Sequence, residues 1–120
     1  MLTVEDHERT VAFYRDALGL TQLADWSSTE GKVVLLDGGN ATLEIIDESQ
    51  AALIDQVEVG QRVAGPVRLA LRVESVPDLV TVLDDAGADR LGEIVETSWG
   101  DRNARIRSPD GMQLTLFTAV

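Results

Sequence analysis

The chain has 120 residues, 44% of them hydrophobic, which is enough for one ordinary domain with its own core and too little for a second large one. A formal net charge of −11 argues against nucleic acid or an anionic membrane as a partner, because both demand a basic surface. There is no cysteine to supply a disulfide framework or thiolate chemistry, and no leader pattern or spanning apolar run is seen, so a cytoplasmic location is expected.

Met1 to Val4 reads as the end of a strand. Asp6 is a good N-cap, and His7 to Leu18 is helical by pattern, with Val11, Phe13, Tyr14, Ala17 and Leu18 available to the core. Gly19 supplies the stop. His7, the sole histidine, falls in the first helical turn and is expected to be exposed. Thr21 to Trp26, Lys32 to Leu36 and Ala41 to Ile46 read as strands, the last two joined by Asp37-Gly38-Gly39-Asn40, where Asp, Gly and Asn tolerate the positive φ of tight hairpin turns. Asp47 to Ala64 is the long irregular segment, with a short helix from Ser49 through Gln56 and otherwise a connector.

Gly65-Pro66 then restarts the pattern. Val67, Leu69, Leu71 and Val73 alternate with Arg68, Ala70 and Arg72, so the apolar four share one face of a strand. Ser75, with Asp78 three residues on and Pro77 in the first turn, opens a helix that ends at Gly87. Ile94 to Trp99, Ala104 to Arg107 and Gln113 to Thr118 complete the set as strands, the last two joined by Ser108-Pro109-Asp110-Gly111. A shift of 69 lays Val73-Glu74 on Val4-Glu5, Val80 on Val11 and Asp85-Ala86 on Asp16-Ala17. A shift of 71 lays Leu114-Thr115-Leu116 on Leu43-Glu44-Ile45. The chain is therefore a duplicated βαβββ unit: module one over 1–46, a connector over 47–64 and module two over 65–120.

Val4 to Leu20, with its Phe13-Tyr14 and Leu18-Gly19-Leu20, resembles the opening helix of the vicinal oxygen chelate superfamily, the glyoxalase, bleomycin-resistance and extradiol dioxygenase group. Leu43-Glu44-Ile45, Val67 to Val73, Trp99-Gly100-Asp101-Arg102 and Ser108 to Gly111 extend the resemblance over nearly the whole chain. It implies an α+β fold of two tandem βαβββ modules forming paired half-barrel cups, with a divalent metal held by residues of the first and last strands of each module. Carried over residue by residue, those positions are Glu44, Arg68 and Thr115, and the repeat places the fourth ahead of Met1.

The pattern fails at Arg68. A guanidinium stays protonated, offers only donors and repels a cation, while Thr115 is a weak neutral oxygen ligand, so Glu44 alone retains the family's ligand chemistry. No cofactor is expected. The resemblance then implies a metal-independent small-molecule binder of the drug-sequestering type, acting as a homodimer, with a metal-dependent lyase, isomerase or extradiol dioxygenase as the alternative. Trp26 and Trp99 offer flat faces to a planar ligand, against an equal expectation of plain packing. Nine of the ten basic residues are Arg. Of these, Arg68 and Arg105 are candidates for an anionic group of the ligand, against the preferred expectation that Arg68 pairs internally with Glu44 in the metal's place.

Overall fold

Alternating hydrophobic residues and glycine-marked turns give nine strands and three helices in the computed structural model, which describes residues 1–120. They form two compact units, Met1–Leu53 and Ile54–Val120.

The first unit contains β1 (Leu2–Val4), α1 (His7–Val11), β2 (Gln22–Asp25), β3 (Val33–Asp37) and β4 (Thr42–Asp47). The sheet order is β1-β4-β3-β2, with β1 parallel to β4 and the other pairs antiparallel. Asp6 caps α1 as expected, its carboxylate accepting from the Arg9 amide at 3.0 Å. Val11 and Tyr14 pack on Val34, Leu36 and Ile45 to form the core. Beyond Val11 the helix widens into a π-helical stretch over Ala12–Ala17, closed by the Leu18 amide donating to the Phe13 carbonyl at 2.9 Å. That spacing breaks the 3.6-residue periodicity that would turn Phe13, Ala17 and Leu18 toward the core, and all three are exposed.

A helix, α2 (Glu48–Glu58), occupies most of the segment read as a connector. Asp47 rather than Ser49 caps it, accepting from the Gln50 amide at 2.9 Å, and it runs on past Gln56 to a left-handed Gly60. The start of α2 crowds Gly31: a Cβ there would lie 2.6 Å from Gln50 Cβ and 2.7 Å from its backbone N and Cα. Gly31→Ala must therefore displace the helix. It is expected to cost about 1–3 kcal/mol in urea unfolding, the usual price of overpacking.

The second unit contains β5 (Leu69–Arg72), α3 (Val76–Asp85), β6 (Asp89–Arg90), β7 (Val95–Glu96), β8 (Asp101–Arg107) and β9 (Gln113–Ala119). The order is β5-β9-β8-β6, with β7 also on β8, and β5 runs parallel to β9. Ser75 caps α3 through the Asp78 amide, as the sequence predicts. Val76 and Val80 of α3 pack on Ala104, Ile106 and Leu116.

Two strand readings change in this unit. The restart strand is shorter than 67–73, and Leu69 and Leu71 are 47% and 44% exposed, because α3 packs over β8 and β9 and leaves the edge strand β5 uncovered. Only Val73 of the alternating four packs against the core. Of the strand read over Ile94 to Trp99 only β7 forms, and β6 precedes it where no strand was expected. Between them Gly92 passes so near α2 that a Cβ would lie 3.0 Å from the Glu58 carbonyl oxygen. Trp99 belongs to the turn that follows, where Gly100 has φ +93° and donates to the Thr97 carbonyl.

Candidate functional site

Strands β8 and β9 turn Ala104, Ile106, Leu114 and Leu116 toward α3. Strand alternation sends Asn103, Arg105, Gln113 and Thr115 to the opposite face, where all four are buried. Burying these polar groups requires partners, and the end of α2 supplies them.

Arg105 donates through Nη1 to Asp55 Oδ1 at 2.7 Å and through Nη2 to Glu58 Oε2 at 3.0 Å. The side chains of Arg105, Asp55 and Glu58 are 0%, 1% and 2% exposed. Glu58 Oε1 accepts from Asn103 Nδ2 at 3.0 Å, and Gln113 Oε1 accepts from Arg105 Nη1 at 3.1 Å. The second Asp55 oxygen accepts from the Val63 amide at 2.7 Å, the Ala64 amide at 2.8 Å and Arg62 Nη1 at 3.0 Å. Gln113 Nε2 donates to the Val63 carbonyl at 2.6 Å, so the segment after α2 is tied to β9 as well.

Burial pushes the Asp55 carboxyl upward, but hydrogen bonds from the Ala64 amide, Arg105 and the Val63 amide prevail and hold it below the ordinary carboxylate range. The groups facing it are Arg105 from β8 and Arg62 from the segment after α2, with Glu58 beside it on α2. A depressed folded-state value means the stabilisation is complete above the unfolded value, near 3.9, and is lost as pH falls through the folded one. Stability measured by urea unfolding is expected to decline below about pH 4. In Asp55→Asn that part of the decline is expected to vanish.

Arg68 and Thr115, two of the positions singled out in the sequence, are brought together and buried: Arg68 Nη1 donates to Thr115 Oγ1. Arg105 lies beside them in the ladder, opposite Thr115. Its two terminal nitrogens are engaged by Asp55, Glu58 and Gln113, so its charge is answered inside the unit.

Glu44 lies half-buried on β4 of the first unit, opposite Leu35 in the ladder. Trp26 follows β2 and Trp99 sits in the β7–β8 turn, each exposed in its own unit. His7 departs from expectation: it is buried, with Nε2 2.8 Å from the Ile45 carbonyl oxygen, because the helix start meets β4 and gives the ring an acceptor. Sequence reading missed Asp55, Glu58, Asn103 and Gln113. The available signal was the i, i+3 spacing of Asp55 and Glu58, which puts both carboxylates on one helix face. An open hollow of about 480 Å³ adjoins the network, lined by Val63, Gly65, Pro66, Arg107 and Gln113 among others.

Two successive units, each an αβ layer with its first strand parallel to its last, define a tandem βαβββ protein. The profile of the glyoxalase/bleomycin resistance protein/dioxygenase superfamily matches residues 1–116, and the chain belongs to that superfamily. Solved structures share the fold. A hypothetical protein from Bacillus halodurans C-125 is 20% identical, with a TM-score of 0.70 over 97% of this chain and 88% of that one. A superfamily member from Vibrio splendidus 12B01 is 14% identical, with a TM-score of 0.70 over 97% and 92%. Methylmalonyl-CoA epimerase from Mycobacterium tuberculosis is 17% identical, with a TM-score of 0.67 over 99% and 84%. No curated protein sequence matches the chain.

Proposed function

We propose that the chain is a metal-independent small-molecule-binding member of the superfamily, of the drug-sequestering type, acting as a cytoplasmic homodimer. One observation carries the reading. In the second unit, the two positions where the superfamily resemblance puts metal ligands are an arginine and a threonine, hydrogen-bonded to each other in the interior. A buried guanidinium at that place supplies a fixed positive charge and no lone pair, so these residues do not fit a divalent metal. Binding would rest instead on shape and on flat aromatic faces such as exposed Trp26 and Trp99.

Protein purified from cells grown with added zinc, nickel, manganese and iron is expected to carry far less than one metal per chain by elemental analysis. A stoichiometric metal would overturn the reading in favour of a metal-dependent lyase, isomerase or dioxygenase, in which the metal polarises a carbonyl or diolate. Titration with a glycopeptide antibiotic of the bleomycin class, followed by tryptophan fluorescence, tests the ligand. Saturable quenching supports drug sequestration, and no change at high micromolar ligand removes that ligand class.

A further inference from the structure

The surroundings of Asp55 have the composition of a receptor for a carboxylate. Two consecutive backbone N–H groups, from Val63 and Ala64, converge on one oxygen together with the Arg62 guanidinium, and a second guanidinium, Arg105, holds the other oxygen. Paired amides of this kind form an anion-binding nest, and charge-assisted bonds from guanidinium are the strong ones. The site is built: Arg105 is fully buried, with Nη2 fixed by Glu58 and Nη1 shared between Asp55 and Gln113. Its walls are also shared with a cavity, since Val63 and Gln113 both line the open hollow. The segment forming the nest leaves α2 through left-handed Gly60, whose amide, like that of Val59, donates to the Asp55 carbonyl. One residue thus organises the segment through its backbone and its side chain alike.

We propose that Asp55 is an internal ligand in a carboxylate-binding site made by Arg105, Arg62 and the amides of Val63 and Ala64, and that a small free carboxylate takes its place when the side chain is removed. In the intact chain the tethered carboxylate wins by proximity and latches the segment from Val59 to Ala64. This assignment is independent of the metal question, because none of these residues occupies a position the superfamily resemblance gives to a metal ligand.

The test is thermal unfolding of Asp55→Gly in sodium formate and in sodium chloride at equal ionic strength. Formate is expected to raise the melting temperature of the variant by several degrees, saturably, and to leave the wild type unmoved because its site is filled. Equal effects of formate and chloride on the variant would overturn the proposal. If Asp55→Gly folds in neither salt, hydrogen exchange on the isosteric Asp55→Asn decides. Faster exchange at Val63 and Ala64, with the β8–β9 ladder amides still protected, supports the site; unchanged exchange at both amides rejects it.

Discussion

Asp55→Ala is expected to destabilise the protein by about 3–5 kcal/mol, the cost of breaking a buried ion pair by removing one partner. The substitution leaves the Val63 and Ala64 amides without their acceptor and Arg105 with Glu58 as its one carboxylate. The Val63 and Ala64 amides are half-buried, and each orphaned donor adds a share of the roughly 1–3 kcal/mol that full burial would cost, so the loss does not depend on the ion pair alone. Domains of this kind are stable by about 5–15 kcal/mol, so the change is a large share of the total. Urea unfolding followed by circular dichroism measures it. Asp110→Ala is the control: Asp110 is exposed in a turn, its carboxylate accepting from the Ser108 hydroxyl, and its removal is expected to stay within about 0.5 kcal/mol. A loss below about 1 kcal/mol for Asp55→Ala would mean that the network is hydrated and loose rather than buried and paired.

The second large effect is a contrast between two leucines that share one face of the β5–β9 ladder. Leu116 is completely buried under α3, and Leu116→Ala is expected to cost about 2–5 kcal/mol through lost transfer energy and a residual cavity. Leu71 lies directly opposite it in the parallel register yet is 44% exposed, and Leu71→Ala is expected to cost less than about 1 kcal/mol. Equal costs would show that β5 is covered in solution, which is what the expected homodimer would produce if this edge lay in its interface.

That contrast marks how far the sequence could be read. The duplicated βαβββ order, the caps at Asp6 and Ser75 and the hairpin turns at Asp37–Asn40 and Ser108–Gly111 depend on local backbone chemistry, and each is found where the residues place it. Alternation along Val67 to Val73 correctly sorts residues to two faces, but alternation carries no information about whether a face is covered. Only the position of α3 over β8 and β9 determines that, and that position is tertiary. The π-helical widening after Val11 is illegible in the sequence for a related reason: an amphipathic pattern presupposes one fixed period.

The candidate site was legible in part. Arg68 and Thr115 stand where the superfamily resemblance puts metal ligands and alternation turns Arg105 inward, and all three are buried, with Arg105 opposite Thr115 in the ladder. Their partners were invisible, since Asp55 lies 50 residues from Arg105 and in a segment whose polar composition resembles a connector. Among 21 acidic residues, the i, i+3 spacing of Asp55 and Glu58 shows that the two share a helix face, but not that the face is buried.

The repeat seen in the sequence and the unit that folds do not share a starting point. By internal similarity the second copy begins at Gly65, whereas the compact unit begins at Ile54, within α2, and takes Asp55 and Glu58 with it. A truncation at Gly65, the natural cut for anyone guided by the duplication, would leave Arg105 facing an empty sheet surface with no anion to meet it. The helix between the copies is thus a condition for the second copy's interior, and grafting or shuffling of these modules has to carry it along.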